Sequence, residues 1–332
     1  MPHIDRRRFL QQTALATAAA TLPLTVVELA CAKPVDNFTF AYISDAHLQH
    51  VEGTRFVRNR DRGLIRAIAE INLLAPRPDF VMFGGDLAHL GTRAELDHGG
   101  ELLAKLGPKV HAVMGEHDYY LDLGSHWSRL FGAQYYSFDH KGVHFVVLNS
   151  ILTHDAWTFD RRRTAEQRML AMAATESADS SPFMVGEQQR SWLAKDLANI
   201  ARTTPVVVFS HAPLQKIHQG WNFWTEDAED VQALLAPFER VSVLYGHVHQ
   251  IQYNQIGNIS FNSIMPTAWP WTYPQSYYSN GGALLPKLTV NIERTASFSD
   301  RDVTGWQTID VHSGRVSTQY RLYNDSKRGV AS

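Results

Sequence analysis

The sequence predicts a large α/β domain in which helices cover mixed β-sheets. From residue 37 onward, short apolar runs typical of strands alternate with amphipathic stretches of helical spacing. After residue 250 the pattern consists of short strands separated by turns. Strand-helix alternation followed by a β-rich end is typical of helices that pack on mixed sheets. A length of 332 residues with 44% hydrophobic and 19% charged residues suits one such domain.

The first half of the chain after residue 37 alternates strands with helices. The predicted order is strand 39–44, helix 62–74, strand 80–83, helix 93–106 and strand 109–114. In the first helix the apolar residues recur at helical spacing, and Pro76 follows its end. Two further apolar runs, 135–138 and 143–148, flank Lys141-Gly142 and therefore predict a β-hairpin.

The second half continues the alternation and then becomes β-rich. Its predicted elements are helix 186–200, strand 205–209, helix 231–238, strand 241–245 and short strands within 250–262 and 306–323. Two stretches break this rhythm, the polar residues 160–184 and the Trp-, Tyr- and Pro-rich residues 266–278. Because long irregular segments in such a domain are commonly functional, we interpret both as candidate lids or binding loops.

Residues 1–32 are predicted to be an export signal. Arg6-Arg7-Arg8-Phe9-Leu10 resembles a twin-arginine motif, and the apolar residues 13–30 after it contain no Lys or Arg. Small residues on both sides of Cys31 predict cleavage after Ala32. Residues 33–332 then form a single domain with a C-terminal β-rich extension. We therefore expect the twin-arginine export machinery as a partner, and a periplasmic or secreted protein.

Two alternatives concern this N-terminal segment. The apolar run has only marginal length for a membrane anchor, and Pro23 and Glu28 interrupt it, so we expect no stable membrane anchor. Cys31 is the alternative lipoprotein cysteine. Glu28 weakens that hypothesis as well, because it occupies a position where such a signal has an apolar residue.

The composition limits which kinds of site the chain can build. It contains sixteen His and one Cys, so a metal ion must be held by imidazole and carboxylate groups rather than by thiolates. This excludes zinc-finger and iron–sulfur proteins. With 31 Lys and Arg against 33 Asp and Glu, the formal net charge is -2, and no basic excess is available to bind a nucleic-acid backbone.

Five predicted strands end directly in side chains that can bind a metal ion. In chain order these side chains are Asp45 and His47, then Asp86, then Glu116, His117 and Asp118, then His211, and finally His247 and His249. Loops at the carboxyl ends of strands line one crevice of an open α/β sheet, so we expect these groups to converge. The i, i+2 spacing in two of the segments puts both side chains on one side of an extended backbone.

In their order, these segments resemble the calcineurin-like metallophosphoesterases, whose pattern is D-x-H, G-D, G-N-H-D/E, a single His and G-H-x-H. The corresponding segments are Asp45-Ala46-His47, Gly85-Asp86, Gly115-Glu116-His117-Asp118, His211 and Gly246-His247-Val248-His249. The resemblance spans about residues 38 to 265. It implies a four-layer αββα sandwich of two mixed β-sheets flanked by helices, with a binuclear metal centre at the sheet edge.

The resemblance also implies a role for each residue. One set of ligands serves each of two metal ions, with Asp86 bridging them: Asp45, His47 and His249 for the first, and Glu116, His211 and His247 for the second. His117 would act as general acid or phosphate-binding group, with Asp118 orienting its imidazole. The implied reaction is hydrolysis of a small phosphomonoester or phosphodiester, nucleotide-like esters included, by a metal-bridging hydroxide. Nitrogen and oxygen ligands suit Fe, Mn or Zn.

Position 116 departs from the family pattern, because it holds Glu where the family has Asn. An ionised Glu is anionic and can only accept hydrogen bonds, so it should strengthen cation binding and repel a phosphate oxyanion. Three hypotheses follow: an active hydrolase with altered metal preference, a hydrolase for an unusual or less charged substrate, and a weakly active or non-hydrolytic periplasmic protein that is metal-binding or redox-associated.

Several aromatic and imidazole side chains near these motifs have two interpretations each. The Trp269-Pro270-Trp271 loop is either a packed cover or a wall that stacks a planar group of the substrate, and Trp221 and Trp224 could join such a wall. Some His residues near the motifs are either functional or solvated: His50, His89 and His154. The others are interpreted as structural: His98, His111, His126, His140, His144, His218 and His312.

Overall fold

Two mixed β-sheets form the centre of the structure, a computed structural model that describes residues 34–174, 181–271, 288–289 and 304–323. Within these residues the first sheet has five strands. In spatial order they are β16 (Arg315–Leu322), β15 (Gly305–His312), β1 (Phe38–Ile43), β4 (Phe80–Phe83) and β5 (Lys109–Ala112). β1, β4 and β5 are parallel, whereas β15 pairs antiparallel with both β1 and β16.

The second sheet has seven described strands. In spatial order they are β14 (Leu288–Thr289), β12 (Gln252–Ile256), β13 (Ile259–Ser263), β11 (Val241–Tyr245), β8 (Val206–Ser210), β7 (Val143–Val147) and β6 (Tyr136–His140). The four strands from β13 to β7 are parallel, and the strands outside them pair antiparallel. Two short hairpins lie apart from these sheets: β2 (His50–Glu52) with β3 (Arg55–Phe56), and β9 (Lys216–His218) with β10 (Phe223–Trp224).

Helices cover the outer face of each sheet. The α-helices of the described chain are α1 (Arg58–Asn72), α2 (Arg93–Leu103), α3 (Glu116–Tyr119), α4 (Ser125–Phe131), α5 (Asp155–Thr158), α6 (Ala165–Ala173), α7 (Glu187–Leu197) and α8 (Ala228–Leu235). Apolar residues of α1 and α2 pack with Ile43 of β1 in one buried cluster. Those of α7 and α8 pack with Val208 of β8 in another. The predicted four-layer αββα sandwich is therefore confirmed.

A third apolar cluster fills the space between the two sheets. Phe40 and Tyr42 of β1 belong to it, whereas Ala41 and Ile43 face the helices, because successive side chains of a strand point to opposite faces. Phe40 meets Phe209 of the second sheet edge-on, with the ring centroids 5.8 Å apart. Fully burying one such side chain contributes roughly 1.5–3 kcal/mol. This layer holds the two sheets together, and thus sets how their strand ends face each other.

Some predicted elements differ from the observed ones. Residues 160–184 are not irregular throughout, because Thr164 caps α6 in a capping box with Gln167, and Met169 and Met172 of this helix are buried. The predicted helices 93–106 and 231–238 are shorter or shifted, since α2 ends at Leu103 and α8 covers Ala228–Leu235.

The β-rich end also differs from its prediction. Residues 306–323 do not form short separate strands but one hairpin of two eight-residue strands, β15 and β16. Ser313 and Gly314 make its turn with positive φ values of 49° and 75°. The turn chemistry is visible in the sequence, but the pairing of β15 with β1 depends on residues more than 260 positions apart.

Two predictions fall outside the described residues. The export signal over residues 1–32 is one, and residues 272–278 of the aromatic loop are the other. Among the described helices, none combines the length and the apolar character needed to cross a membrane.

Candidate metal centre

The predicted site residues come from loops at the carboxyl ends of five strands in both sheets. These strands are β1, β4 and β5 in the first sheet and β8 and β11 in the second. Side chains from the two sheets form groups in which the potential ligand atoms lie within 4.8 Å of one another. The groups within the described chain are Asp45 with His47 and His249, Asp86 with Glu116, His211 and His247, and His47 with His89 and His117.

The backbone at these residues is unusual, because many of them have positive φ without being glycine. They account for five of the nine such residues in the described chain: Asp45 at 53°, His47 at 45°, Asp86 at 55°, His247 at 64° and His249 at 48°. This region is unfavourable for residues with a Cβ and is associated with functional sites. The expectation that the two i, i+2 pairs lie on extended backbone is therefore wrong, because all four of their residues have left-handed φ values.

Glycine next to these residues allows the loops to approach closely. A Cβ at Gly115 would overlap the carboxylate of Asp86. A Cβ at Gly85, which has a φ of 101°, would lie 2.5 Å from Nδ1 of His211. The Gly residues that precede Asp86 and Glu116 are thus required by packing.

The first group joins the loops after β1 and β11. Nε2 of His249 lies 3.2 Å from Oδ1 of Asp45, and Nε2 of His47 lies 3.0 Å from Nε2 of His249. The same atom of His47 is 3.4 Å from Oδ2 of Asp86, which belongs to the second group. All of these residues are buried. The two groups are therefore adjacent, and the carboxylate of Asp86 is common to both.

The second group is centred on Glu116. Its Oε2 lies 2.9 Å from Nε2 of His211, and its Oε1 lies 2.8 Å from Nδ1 of His247. Oδ2 of Asp86 is 3.2 Å from the same His211 nitrogen. Glu116 is only 3% exposed. The residue that departs from the family pattern thus lies at the middle of the group rather than beside it.

Backbone carbonyls orient three of the imidazoles. Nδ1 of His211 donates to the carbonyl of Gly84 at 2.7 Å, and Nδ1 of His249 donates to that of Trp269 at 2.6 Å. Nε2 of His247 donates to the carbonyl of Trp221 at 3.3 Å. Because a carbonyl can only accept, each of these nitrogens carries the proton, and the other ring nitrogen faces the group. Metal-binding imidazoles are commonly oriented in this way.

Electrostatics shows that the second group attracts a positive charge. Burial raises the pKa of Asp86 well above its usual value, and the negative charge of Glu116 raises it further. Burial alone would lower the pKa of His211, yet Asp86 and Glu116 raise it well above its usual value. Two buried carboxylates therefore share one region and need a cation between them.

A proton shared among these side chains does not satisfy all of their buried polar atoms. Nε2 of His211 and Oε2 of Glu116 are both buried, and neither has a hydrogen-bond partner within the described chain although they lie 2.9 Å apart. Oδ2 of Asp45 is likewise buried and without a partner in that part of the chain. Buried acceptor atoms that converge without donors are costly unless a cation binds them. The residues present thus fit metal ions with nitrogen and oxygen ligands.

His117 lies beside the two groups, but Asp118 does not orient it. Nδ1 of His117 donates to the carbonyl of His89 at 2.6 Å, which leaves Nε2 facing the site at 3.9 Å from Oε1 of Glu116. Asp118 instead accepts hydrogen bonds from three backbone N–H groups, those of Leu87, Ala88 and Gly115. The predicted contact between Asp118 and the imidazole is therefore wrong, and this carboxylate joins the loops after β4 and β5.

His89 is closer to the site than the sequence indicated. Its ring stacks on that of His117 at a centroid distance of 5.3 Å and an angle of 16°, and it lines the same pocket. Its position three residues after Asp86 is the sequence feature that could have predicted its place at the site. His50 and His154 do not line this pocket; they bind the carbonyl of Gly53 and the carboxylate of Glu226 instead.

Most of the histidines interpreted as structural pair with carboxylates away from the pocket. The described ion pairs are His98 with Asp61, His126 with Asp97, His140 with Asp79, and His144 with both Asp139 and Asp196. Asp79 also binds Lys141 at 2.6 Å. These pairs account for four of the sixteen histidines without involving the metal-binding groups.

Fold and site together define a metal-binding α/β protein with its ligands at the strand ends of two stacked sheets. The sequence profile of the calcineurin-like phosphoesterase family matches residues 38–251, which is more than half of the chain and includes every predicted site residue. The chain therefore belongs to the calcineurin-like phosphoesterase family. It is a metal-dependent phosphoric ester hydrolase.

Solved structures share this fold at low sequence identity. A dimetal phosphatase from Danio rerio superimposes with a TM-score of 0.59 and 18% identity, covering 87% of this chain and 97% of that one. A purple acid phosphatase from yellow lupin (Lupinus luteus) seeds gives 0.55 and 14%, covering 88% of this chain but 52% of that one. The chain thus spans about half the length of the lupin enzyme. No curated protein sequence matches the chain.

Metal binding can be tested at His211. Replacing His211 with Ala removes a fully buried imidazole from the second group, so we expect metal affinity at least about tenfold lower than in the wild type. Bound metal measured by mass spectrometry after gel filtration should fall. Added metal should raise the melting temperature of the wild type more than that of His211→Ala. His312→Ala, an exposed histidine, is the control, and equal metal content in all three proteins contradicts the assignment.

Proposed function

We propose that the protein hydrolyses a small-molecule phosphate ester at a binuclear centre of Fe, Mn or Zn. The observation that carries this proposal is the position of Asp86. Its Oδ2 lies 3.4 Å from Nε2 of His47 and 3.2 Å from Nε2 of His211, so one carboxylate reaches the ligands of both groups. We assign Asp45, His47 and His249 to one ion, Glu116, His211 and His247 to the other, and Asp86 to both.

Bound metal ions would supply a lowered pKa for water and stabilisation of negative charge on the phosphate oxygens. The chain itself sets the orientation of the ligands. The backbone N–H of His117 donates to Oδ1 of Asp86 at 3.0 Å, and that of His247 donates to Oδ1 of Asp45 at 3.0 Å. The first bond leaves Oδ2 of Asp86 facing both groups, whereas Oδ1 of Asp45 both accepts from His247 and lies 3.2 Å from Nε2 of His249. Preorganisation of this kind reduces the reorganisation needed during the reaction.

His117 is assigned the role of general acid or phosphate-binding group. With Nδ1 donating to the carbonyl of His89, Nε2 faces the pocket, 4.0 Å from Oδ2 of Asp86. In the imidazolium form, the one in which both ring nitrogens carry a proton, Nε2 can donate to the leaving oxygen or to a phosphate oxygen. His89 holds its position through both the carbonyl and the stacked ring. A protein that only carried metal would not need such a group, which favours hydrolysis over the metal-binding alternative.

Substrates with different leaving groups distinguish the two roles assigned to His117. If Nε2 protonates the leaving oxygen, His117→Asn should lower kcat by about 10²–10⁴ for an alkyl phosphate and far less for p-nitrophenyl phosphate, whose leaving group needs no proton. If it only binds phosphate, both substrates should lose activity equally.

Wild-type protein with two bound metal ions that hydrolyses neither p-nitrophenyl phosphate nor bis(p-nitrophenyl) phosphate would support the metal-binding alternative. His312→Ala is again the control.

Glu116 is proposed to shift the enzyme toward less charged substrates. Its carboxylate adds one negative charge between His211 and His247, where Asn would be neutral. A phosphomonoester dianion is repelled more by this charge than a diester monoanion.

Two substitutions separate the charge of Glu116 from its length. Glu116→Gln keeps the length and removes the charge, and Glu116→Asn changes both. We expect both to weaken metal binding and to raise the ratio of monoester to diester kcat/KM by about tenfold, which is roughly 1.4 kcal/mol. An unchanged ratio in both variants, with metal content also unchanged, would contradict the placement of residue 116 in the site.

We also propose that residues 1–32 direct export through the twin-arginine pathway to the periplasm or beyond. The support for this proposal is the sequence motif alone. Changing Arg6 and Arg7 together to Lys should retain the protein in the cytoplasm as an uncleaved precursor, because the pathway recognises the arginine pair. Cell fractionation and mass measurement of the N-terminus test it. Arg8→Lys is the matched control, and export of the double variant at the wild-type level rejects the assignment.

A further inference from the structure

The pocket at the metal-binding groups has an apolar half that the proposed mechanism does not use. Its charged and imidazole residues all belong to the groups described above. The remaining lining residues are mostly apolar, and the large ones are Met172, Phe183, Trp221, Phe223, Trp269 and Trp271. No Lys or Arg is among the described residues that line the pocket.

Several of these aromatic residues serve the metal-binding groups. Phe183 and Phe223 are almost completely buried and meet the ring of His247 edge-on, at centroid distances of 5.5 and 5.3 Å. Trp269 is 8% exposed and lies 4.5 Å from the ring of His47, with the guanidinium of Arg60 4.6 Å from its own ring. These aromatic side chains pack against the imidazoles of the metal-binding groups, and this packing accounts for their burial.

Trp221 and Trp271 are different, because both are only partly buried and border the pocket together. Their ring centroids are 5.7 Å apart at an angle of 60°. Both are attached to metal-binding residues through the backbone: the carbonyl of Trp221 accepts from His247, and the N–H of Trp271 donates to the carbonyl of His249 at 3.0 Å. The backbone of both residues is therefore tied to residues that are assigned to the metal ions.

The indole nitrogen of Trp271 is a second feature that indicates a bound ligand. Nε1 is buried and has no hydrogen-bond partner within the described chain. An unpaired buried donor is unfavourable, and a ligand atom that accepts a hydrogen bond would satisfy it. Trp224, which the sequence suggested as a third member of the wall, does not line the pocket and lies near Lys216 instead.

We propose that Trp221 and Trp271 form a subsite for the uncharged, planar aromatic substituent of a phosphate ester. This inference rests on the proposed phosphoesterase function and names the substrate class for that site. Aromatic rings stack favourably on a planar group, and the absence of cationic side chains among the described lining residues disfavours a second phosphate or a carboxylate on the substituent.

The test compares 1-naphthyl phosphate with ethyl phosphate as substrates. In Trp271→Ala, we expect KM for the naphthyl ester to rise about tenfold, while KM for the ethyl ester changes less than about twofold. Trp271→Phe keeps a ring and should restore most of the naphthyl preference. Trp224→Ala is the matched control outside the pocket and should leave both values unchanged. Calorimetry with benzylphosphonate and ethylphosphonate gives the same comparison for binding without turnover.

The outcomes separate this subsite from the proposed function. Equal changes for both esters in Trp271→Ala, or no change, would overturn the subsite and leave the phosphoesterase intact. Failure of the wild type to hydrolyse either ester or the diester bis(p-nitrophenyl) phosphate would reject the proposed function. In that case, loss of the benzylphosphonate preference in Trp271→Ala still supports the subsite, and its persistence overturns it.

Discussion

The concentration of buried negative charge at the strand ends is the constraint on which the rest of the structure depends. Asp45, Asp86 and Glu116 are all buried within one small region, and burial of charge is highly unfavourable unless an opposite charge accompanies it. Hydrogen bonds from the surrounding imidazoles do not satisfy every carboxylate oxygen, since Oδ2 of Asp45 is buried without a partner in the described chain. Metal ions resolve this conflict, which makes metal binding a structural as well as a chemical requirement.

The fold provides the rigidity that such a concentration of like charge needs. An aromatic layer between the sheets, with Phe40 against Phe209, fixes how the strand ends of one sheet face those of the other. Asp118 ties two of the loops together by accepting three backbone N–H groups, although burial raises its pKa to about 7. The left-handed backbone at the ligand residues is unfavourable locally. The surrounding contacts stabilise this backbone conformation, and it therefore persists.

Glu116 and the aromatic wall act on different parts of the same substrate. Glu116 changes the charge at the place where the phosphate binds, because it lies between His211 and His247 rather than at the rim. Trp221 and Trp271 border the space where the alcohol part of the ester would lie. A substrate of low charge with a flat apolar substituent satisfies both features. The proposed substrate class therefore follows from the electrostatics of one residue and the shape of two others.

The sequence by itself determined the fold class and the set of residues that meet. The strand-ending positions of Asp45, Asp86 and His211 could be predicted because strand and motif patterns are local, and the carboxyl ends of parallel strands share one edge. Tertiary structure alone decided what each side chain touches. His89 supplies the carbonyl that orients His117, and Asp118 binds backbone instead. These contacts depend on how loops from separate strands turn toward each other through left-handed residues, and no local pattern encodes that approach.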